Sequence, residues 1–418
     1  MSYEAKLMQM KKLLKKDQPQ KIPEVPSQRK IQSPQYEEQW LRAGLLKEEN
    51  DLGIVYKRVV TYPANYRHGH FTLSGLQQTL ERWKEEKLSH PLSPDLNKPL
   101  LFFDTETTGL KGAGTLIFLI GFIEYTGSAF TLTQYVLPGP EHEAAFLYAT
   151  KFWEEQKSIV MYNGKSFDMP MVETRWTMNR NELPPLLRHT EIDLLHGSKR
   201  IWKNEMDTFK LTTVEEEQLG FFRDGDIPGH MAPIIYQDAV KNGRAELLMK
   251  VLHHNEWDIL SLVTLYIHST DLLLNKKNYS TETIGTNIGK WFADLKSFDR
   301  SKAVLEQVIS QSETRHPLAY YHLGFLFKKE EEFEKAAMSF SIAAEGLNGR
   351  ERIIAYEELA KLFEHKLKES QKALSITREA IHLLKREKLT ERFKLRMEIS
   401  LANREMRLNK KLFPGEAQ

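Results

Sequence analysis

Apolar and polar positions along the chain follow three successive rhythms. In the first, helical spacing predicts helices over 36–46 and 76–88, and the β-branched pairs Ile54-Val55 and Val59-Val60 predict a strand over 53–62 between them. Pro91, Pro94 and Pro99 then mark a linker. In the second rhythm, apolar runs at 100–103, 116–124 and Ala129–Val136 predict three strands, with Tyr125-Thr126-Gly127-Ser128 as a hairpin turn between the last two. A helix over 141–156, a strand at 158–161 and a helix through 171–176 follow. The apolar positions Leu248, Val251, Leu252, Ile259, Leu262 and Val263 then recur at helical spacing. A strand meander followed by alternating strands and helices predicts a mixed sheet with helices on its faces.

The third rhythm, from about Asn287, is continuous helix. Tyr320-Tyr321-His322-Leu323-Gly324-Phe325, Phe333, Ala336, Phe340 and Ala343 fit the tetratricopeptide spacing of small and aromatic residues. Neighbouring units centre on Ala303 and Ala373, near the usual period of about 34 residues. One unit cannot bury its own apolar face, so stacked units form a superhelix with a concave surface. Residues 392–411 read as a basic capping helix. The predicted organisation is a basic arm and linker (1–35), an extension on or near the central domain (36–97), an α/β domain (98–275) and helical repeats (285–411).

Composition narrows the function classes. The 418 residues allow two or three domains. There is no cysteine, which excludes disulfides, zinc ribbons and thiol nucleophiles and fits a reducing compartment. No apolar run reaches membrane-spanning length, and the first residues are dotted with Lys instead of forming a signal-peptide core, so a cytoplasmic protein is expected. Net charge is +2. Affinity for nucleic acid must then come from local patches, such as Lys11-Lys12-Leu13-Leu14-Lys15-Lys16.

Three segments carry candidate chemistry. Asp104-Thr105-Glu106 ends an apolar strand and runs into the turn Thr107-Thr108-Gly109-Leu110. Strand side chains alternate, so Asp104 and Glu106 point to one side. Two such carboxylates repel unless a cation lies between them, which suits a divalent metal with oxygen ligands. Tyr162-Asn163-Gly164-Lys165-Ser166-Phe167-Asp168 opens a helix, which Asp168 could also simply cap. His253-His254-Asn255-Glu256-Trp257-Asp258 lies within a helix. His254 shares a face with Asp258, four residues on, whereas His253 points about 100° away.

In this order, Asp-x-Glu, Asn-x-x-x-Phe-Asp and His-x-x-x-Asp resemble the DEDD, or DnaQ-like, exonuclease superfamily over about 98–270. That resemblance implies an α/β RNase H-like mixed sheet with flanking helices, followed here by an all-α tetratricopeptide-like repeat domain. It implies 3′–5′ exonuclease activity with two divalent ions, which about 3.5–4 Å apart stabilise both the attacking and the leaving oxygen. Asp104 would bridge the ions, Glu106 and Asp258 would complete one shell, and Asp168 the other. Oxygen ligands favour Mg²⁺ or Mn²⁺. His254 is the favoured general base, with His253 the alternative. Thr107, Leu110, Asn163 and Phe167 are candidates to hold the terminal nucleotide, Phe103 belongs to the core, and Lys165 and Arg175 are candidates for phosphates.

Thr213-Val214-Glu215 to Gly220, Asp226-Ile227-Pro228-Gly229 and His254-Asn255-x-x-Asp258-Ile259-Leu260-Ser261-Leu262 resemble one subgroup, the YprB-like bacterial proteins. This resemblance implies a DNA-repair exonuclease working beside a helicase on mitomycin-type damage, with DNA and a repair protein as partners. Two other readings compete with it: an RNA exonuclease of the same chemistry, and an inactive scaffold that binds protein through its repeats.

Overall fold

The computed structural model describes residues 33–109, 114–127, 129–274, 279–311 and 316–414. The basic cluster at 11–16 and Leu110 lie outside these residues. Seven strands form one sheet, in the order β1 (Leu46–Asn50), β2 (Gly53–Pro63), β7 (Ala129–Val136), β6 (Ile117–Tyr125), β5 (Leu100–Thr107), β8 (Ser158–Met161), β9 (Thr190–Asp193). β3 (Arg67–His68) and β4 (Phe71–Thr72) form a separate small ribbon. Pairing is antiparallel from β1 through β5 and parallel from β5 through β8 to β9. This is the mixed sheet of an RNase H-like fold.

β5 lies inside the sheet because its apolar residues can be buried on both faces. Leu101 and Phe103 join Ile159 and Met161 in one core, while Phe102 joins Val160 and Ile192 in the other. The first core is closed by α1 (Glu37–Arg42), α3 (Glu143–Ala149), α4 (Asp168–Met178), α7 (Ala232–Asn242) and the start of α8 (Ala245–Leu274). The second is closed by α2 (Gly75–Glu86), α5 (Leu194–Ile201), the short α6 (Leu211–Val214) and the rest of α8. Asp104 and Glu106 share the parity of Phe102, so they project from the second face, over which α8 runs.

Several predicted elements differ in extent. Only Glu37–Arg42 of the predicted helix 36–46 is helical, and Leu46 already belongs to β1. The predicted helix 141–156 ends at Ala149, and Lys151 turns the chain with a φ of +58°. Residues 46–63 do more than lie near the α/β domain, because β2 pairs with β7 along eight residues and extends the sheet itself.

Seven helices follow: α9 (Glu282–Asp294), α10 (Phe298–Gln311), α11 (Pro317–Lys329), α12 (Phe333–Gly346), α13 (Gly349–His365), α14 (Ser370–Leu384) and α15 (Glu391–Leu412). Each packs on the next in chain order. A Cβ at Gly324 of α11 would lie 2.8 Å from the Phe340 ring of α12, so a residue without a side chain is needed at this crossing. The first of these helices belongs to the second core, where Ile284, Ile288, Trp291 and Phe292 meet the sheet's own residues. Asn287 also donates to the carbonyls of Ile201 and Lys203, at 3.0 and 2.8 Å. The later helices have their own core. On α15, Arg404 and Arg407 both pair with Glu364, so two cations of the predicted basic cap are already engaged. Among the described residues, no helix is long and apolar enough to cross a membrane.

Candidate active site

Two elements bring the acidic residues together. β5 presents Asp104 and Glu106 towards α8, and α8 answers with His254, Asn255 and, one turn on from His254, Asp258. Asn255 donates through Nδ2 to Asp104 Oδ2 at 2.8 Å. Its own Oδ1 accepts from Gln134 Nε2 on β7 at 2.8 Å, and Gln134 also reaches the Leu252 carbonyl at 2.7 Å. This close approach depends on Gly121, which faces Asp104 across β5 and β6. A Cβ at Gly121 would lie 2.0 Å from Asn255 Oδ1 and 2.6 Å from Ile259 Cδ1. Asp168 is the first residue of α4 and accepts a hydrogen bond from the Thr105 hydroxyl. It is not the N-cap, which is Phe167 and has no side-chain cap bond; the Thr105 bond ties it instead to the strand carrying Asp104 and Glu106.

His254 lies within the carboxylate group. Its Nδ1 is 2.8 and 2.9 Å from the two oxygens of Asp226. Its Nε2 faces Glu106 Oε1 at 3.9 Å and Asp258 Oδ2 at 3.6 Å. Glu106, His254 and Asp258 each offer a ligand atom, and all these atoms lie within 4.8 Å of one another. The carboxylates of Glu106 and Asp258 suit a divalent ion there, with the His254 imidazole beside it. His253 turns elsewhere: it is half exposed, with Nδ1 3.1 Å from Glu256 Oε2. Glu256 in turn is held by Arg58 at 2.5 Å.

Arg223 is the cation of this cluster. Its covered guanidinium binds Glu215 at 2.6 and 2.7 Å, Asp226 at 3.0 Å, and Asp258 as well. Neither Arg223 nor the role of Asp226, Glu215 or Asn255 emerges from the sequence reading. The segments that resemble the YprB-like subgroup contain Glu215, Asp226 and Asn255 without giving them a role, and Arg223 lies in none of them.

The electrostatics match a site built for a cation. Burial, then the charges of Asp258, Asp168 and Glu106, hold the Asp104 carboxyl well above the usual range, against the Asn255 hydrogen bond. Burial and the charges of Asp258, Asp168 and Asp226 push Glu106 up to about 8. Burial raises Asp168 to about 6, although the Thr105 bond favours its charged form. Asp226 goes the other way: despite burial, its bonds to His254 and Arg223 keep it below the ordinary value. A divalent ion would relieve this repulsion and favour the ionised carboxylates.

The predicted substrate residues divide. Phe167 precedes Asp168 and is 48% exposed, available to a base. Thr107 closes the turn after β5 through its hydroxyl, which donates to the Gly109 carbonyl at 2.8 Å. Asn163 has a φ of +65°, and its backbone N–H donates to Asp193 Oδ1 at 2.9 Å, so its clearest task is to turn the loop. Phe103 is in the core, as expected. Arg175 is no surface phosphate contact: it is buried and ion-paired with Glu143 at 2.5 Å.

A family model described as RNase H superfamily matches residues 101–270. The Bacillus subtilis (strain 168) protein YprB is 38% identical over 386 residues, 91% of this chain and 94% of its own length. Among solved structures, product-bound exonuclease I and a complex of SSB with exonuclease I and the inhibitor CFAM each show 11% identity and a TM-score of 0.24. Each covers 74% of this chain and 99% of its own.

Proposed function

This chain belongs to the same family as YprB and contains an RNase H superfamily domain, and from that premise we propose that it is a metal-dependent 3′–5′ exonuclease of the DEDD type. The observation that carries the reading is Glu106 and Asp258 beside His254, with Asp104 and Asp168 near enough for the four charges to act on one another and three of the carboxyls raised. Such a group is poorly stable without a cation and has no structural task that apolar residues would not do better. The four carboxylates would hold Mg²⁺ or Mn²⁺, whose positive charge stabilises the oxygens of the phosphodiester undergoing displacement. Asp226 fixes the tautomer of His254 by taking the Nδ1–H, which leaves the Nε2 lone pair facing Glu106 and Asp258. From there Nε2 is placed to take the proton of the attacking water. Arg223 holds Asp226 and Asp258 in register.

The substrate reading is DNA, and the biological reading is DNA repair in the cytoplasm beside a helicase. Both rest on the likeness of the motifs around Glu215, Asp226 and His254 to the YprB-like subgroup. The helical array is read as tetratricopeptide-like, supported by the Gly324–Phe340 crossing and the consecutive helix pairing, and it would receive the protein partner.

The test is an assay on end-labelled single- and double-stranded DNA and RNA with Mg²⁺, Mn²⁺ or chelator. Linear DNA should be shortened from its 3′ end with metal, and a closed circle should resist. Asp104→Ala and Asp258→Ala should be inert. Full activity in either variant, or equal loss of circle and linear form, would overturn the assignment.

A further inference from the structure

Beside the carboxylate site lies a cleft of about 320 Å³, lined among others by Lys165, His196, Lys199, Arg200, Trp291 and Leu295. Lys165 lies on the loop that leads to Phe167 and Asp168. His196, Lys199 and Arg200 follow one face of α5 at i, i+3 and i+4, a row about 6 Å long. Trp291 and Leu295 come from α9 and its end, so the cleft runs from the catalytic loop to the helical array. We propose that this cleft holds the sugar–phosphate backbone of one nucleic-acid strand as it leads to the scissile bond; the proposal rests on the nuclease reading above.

Charge balance supports an anionic occupant. Lys165, His196, Lys199 and Arg200 line the cleft; Asp193 in its lining and Asp294 beside Arg200 are engaged, and Glu191 lies near Lys165. Asp193 is 3% exposed, and its oxygens accept from the backbone N–H groups of Asn163, Lys165 and Leu195 at 2.9, 3.2 and 3.0 Å. Asp294 is shared between Lys290 at 2.8 Å and Arg200 at 3.3 Å. Lys165 and Lys199 are exposed, and so is His196, although its Nε2 lies 4.0 Å from Asp193 Oδ2. Exposed surface pairs such as Arg200–Asp294 are worth little, so a phosphate can displace Asp294 from Arg200. The volume is at the low end of the roughly 300–1,000 Å³ that suits one small ligand. It therefore suits a single strand's backbone better than a duplex. Phe167 is exposed and lies in the chain between Lys165 of the cleft and Asp168, so a base of the same strand can stack on it.

Affinity of such a cleft must depend on salt. Each phosphate contact on a single strand contributes about 0.7 to the slope of log affinity against log salt. The experiment is fluorescence anisotropy of a labelled oligothymidylate bound to the full chain with chelator present, over a range of salt. Lys199→Gln should lower the slope by about 0.7, and Lys165→Gln with Lys199→Gln by about 1.4. Lys199→Arg should restore it. With metal, Lys199→Gln should raise KM on long strands several-fold and leave kcat alone. Slope and affinity unchanged in the double variant, with an unaltered melting temperature, would overturn the proposal. So would polyglutamate competing as well as DNA and losing its binding in the same variant, since an acidic protein would then be the better occupant. If wild type binds through the cleft but cleaves nothing with any metal, the nuclease reading fails and the cleft stands. If it cleaves and the variants bind as wild type does, the cleft alone fails.

Discussion

Replacing Glu106 with Gln should make the metal-free protein more stable while destroying catalysis. Burial, and then the charges of Asp258, Asp168 and Asp226, lift the Glu106 carboxyl from its ordinary 4.5 to about 8. Between those two values the folded state keeps a proton that the unfolded chain releases. Stability therefore falls as pH rises through that window. At 1.36 kcal/mol per tenfold change, the penalty on the folded state has a ceiling of about 3 kcal/mol near pH 7 and about 5 kcal/mol above pH 8. Asp104, Glu106 and Asp168 repel one another and titrate as a group, so one substitution removes only part of that ceiling. A gain of about 1–2 kcal/mol, a few degrees in Tm, is the expected outcome near pH 8, shrinking towards zero near pH 5. The assay is a thermal melt with chelator at both pH values, repeated with Mn²⁺. Metal binding to the folded state should raise the wild-type Tm more than that of the variant. A variant less stable than wild type near pH 8 under chelator, or a gain of equal size at both pH values, would refute the reasoning.

Three further outcomes can be measured. Asp226→Asn should lower kcat about 10–100-fold and alter the pH profile of the rate, because the His254 tautomer is no longer fixed; an unchanged profile would make Asp226 merely structural. His254→Ala should cost roughly 10²–10⁴ in rate and His253→Ala far less, and the reverse ranking would move the base to His253. Cutting the chain after Ser280 should yield an aggregating fragment, because it strips Ile284, Ile288, Trp291 and Phe292 from the core, whereas a cut after Ser297 should leave a soluble α/β unit; equal solubility of the two would show that α9 is dispensable.

The sequence and the structure agree where local pattern decides. β5, β6 and β7 stand close to their predicted positions because long apolar runs and one hairpin turn have few alternatives. β1 was hidden because Leu46-Lys47-Glu48-Glu49-Asn50 contains good helix formers, and only its pairing with Gly53–Lys57 makes it a strand. The two acids on β5 were readable from parity alone. The surroundings of His254 were not: Arg223 and Asp226 lie in an irregular segment some thirty residues earlier in the chain, and no periodicity connects them to α8. Gly121 was equally silent, since what it permits is the approach of a helix more than a hundred residues later.

A sheet that does not close on itself has two outer strands, and each could recruit a strand from another molecule. Here both are poor templates. β9 offers four residues. β1 carries Lys47, Glu48 and Glu49 in succession, with Lys47 held by Glu37 at 3.0 Å and Glu48 by Lys57 at 2.5 Å. An intruding strand would have to strip water and partners from these charges before gaining a single ladder bond. Neighbouring copies at high concentration would therefore stay separate molecules, their sheets unable to fuse.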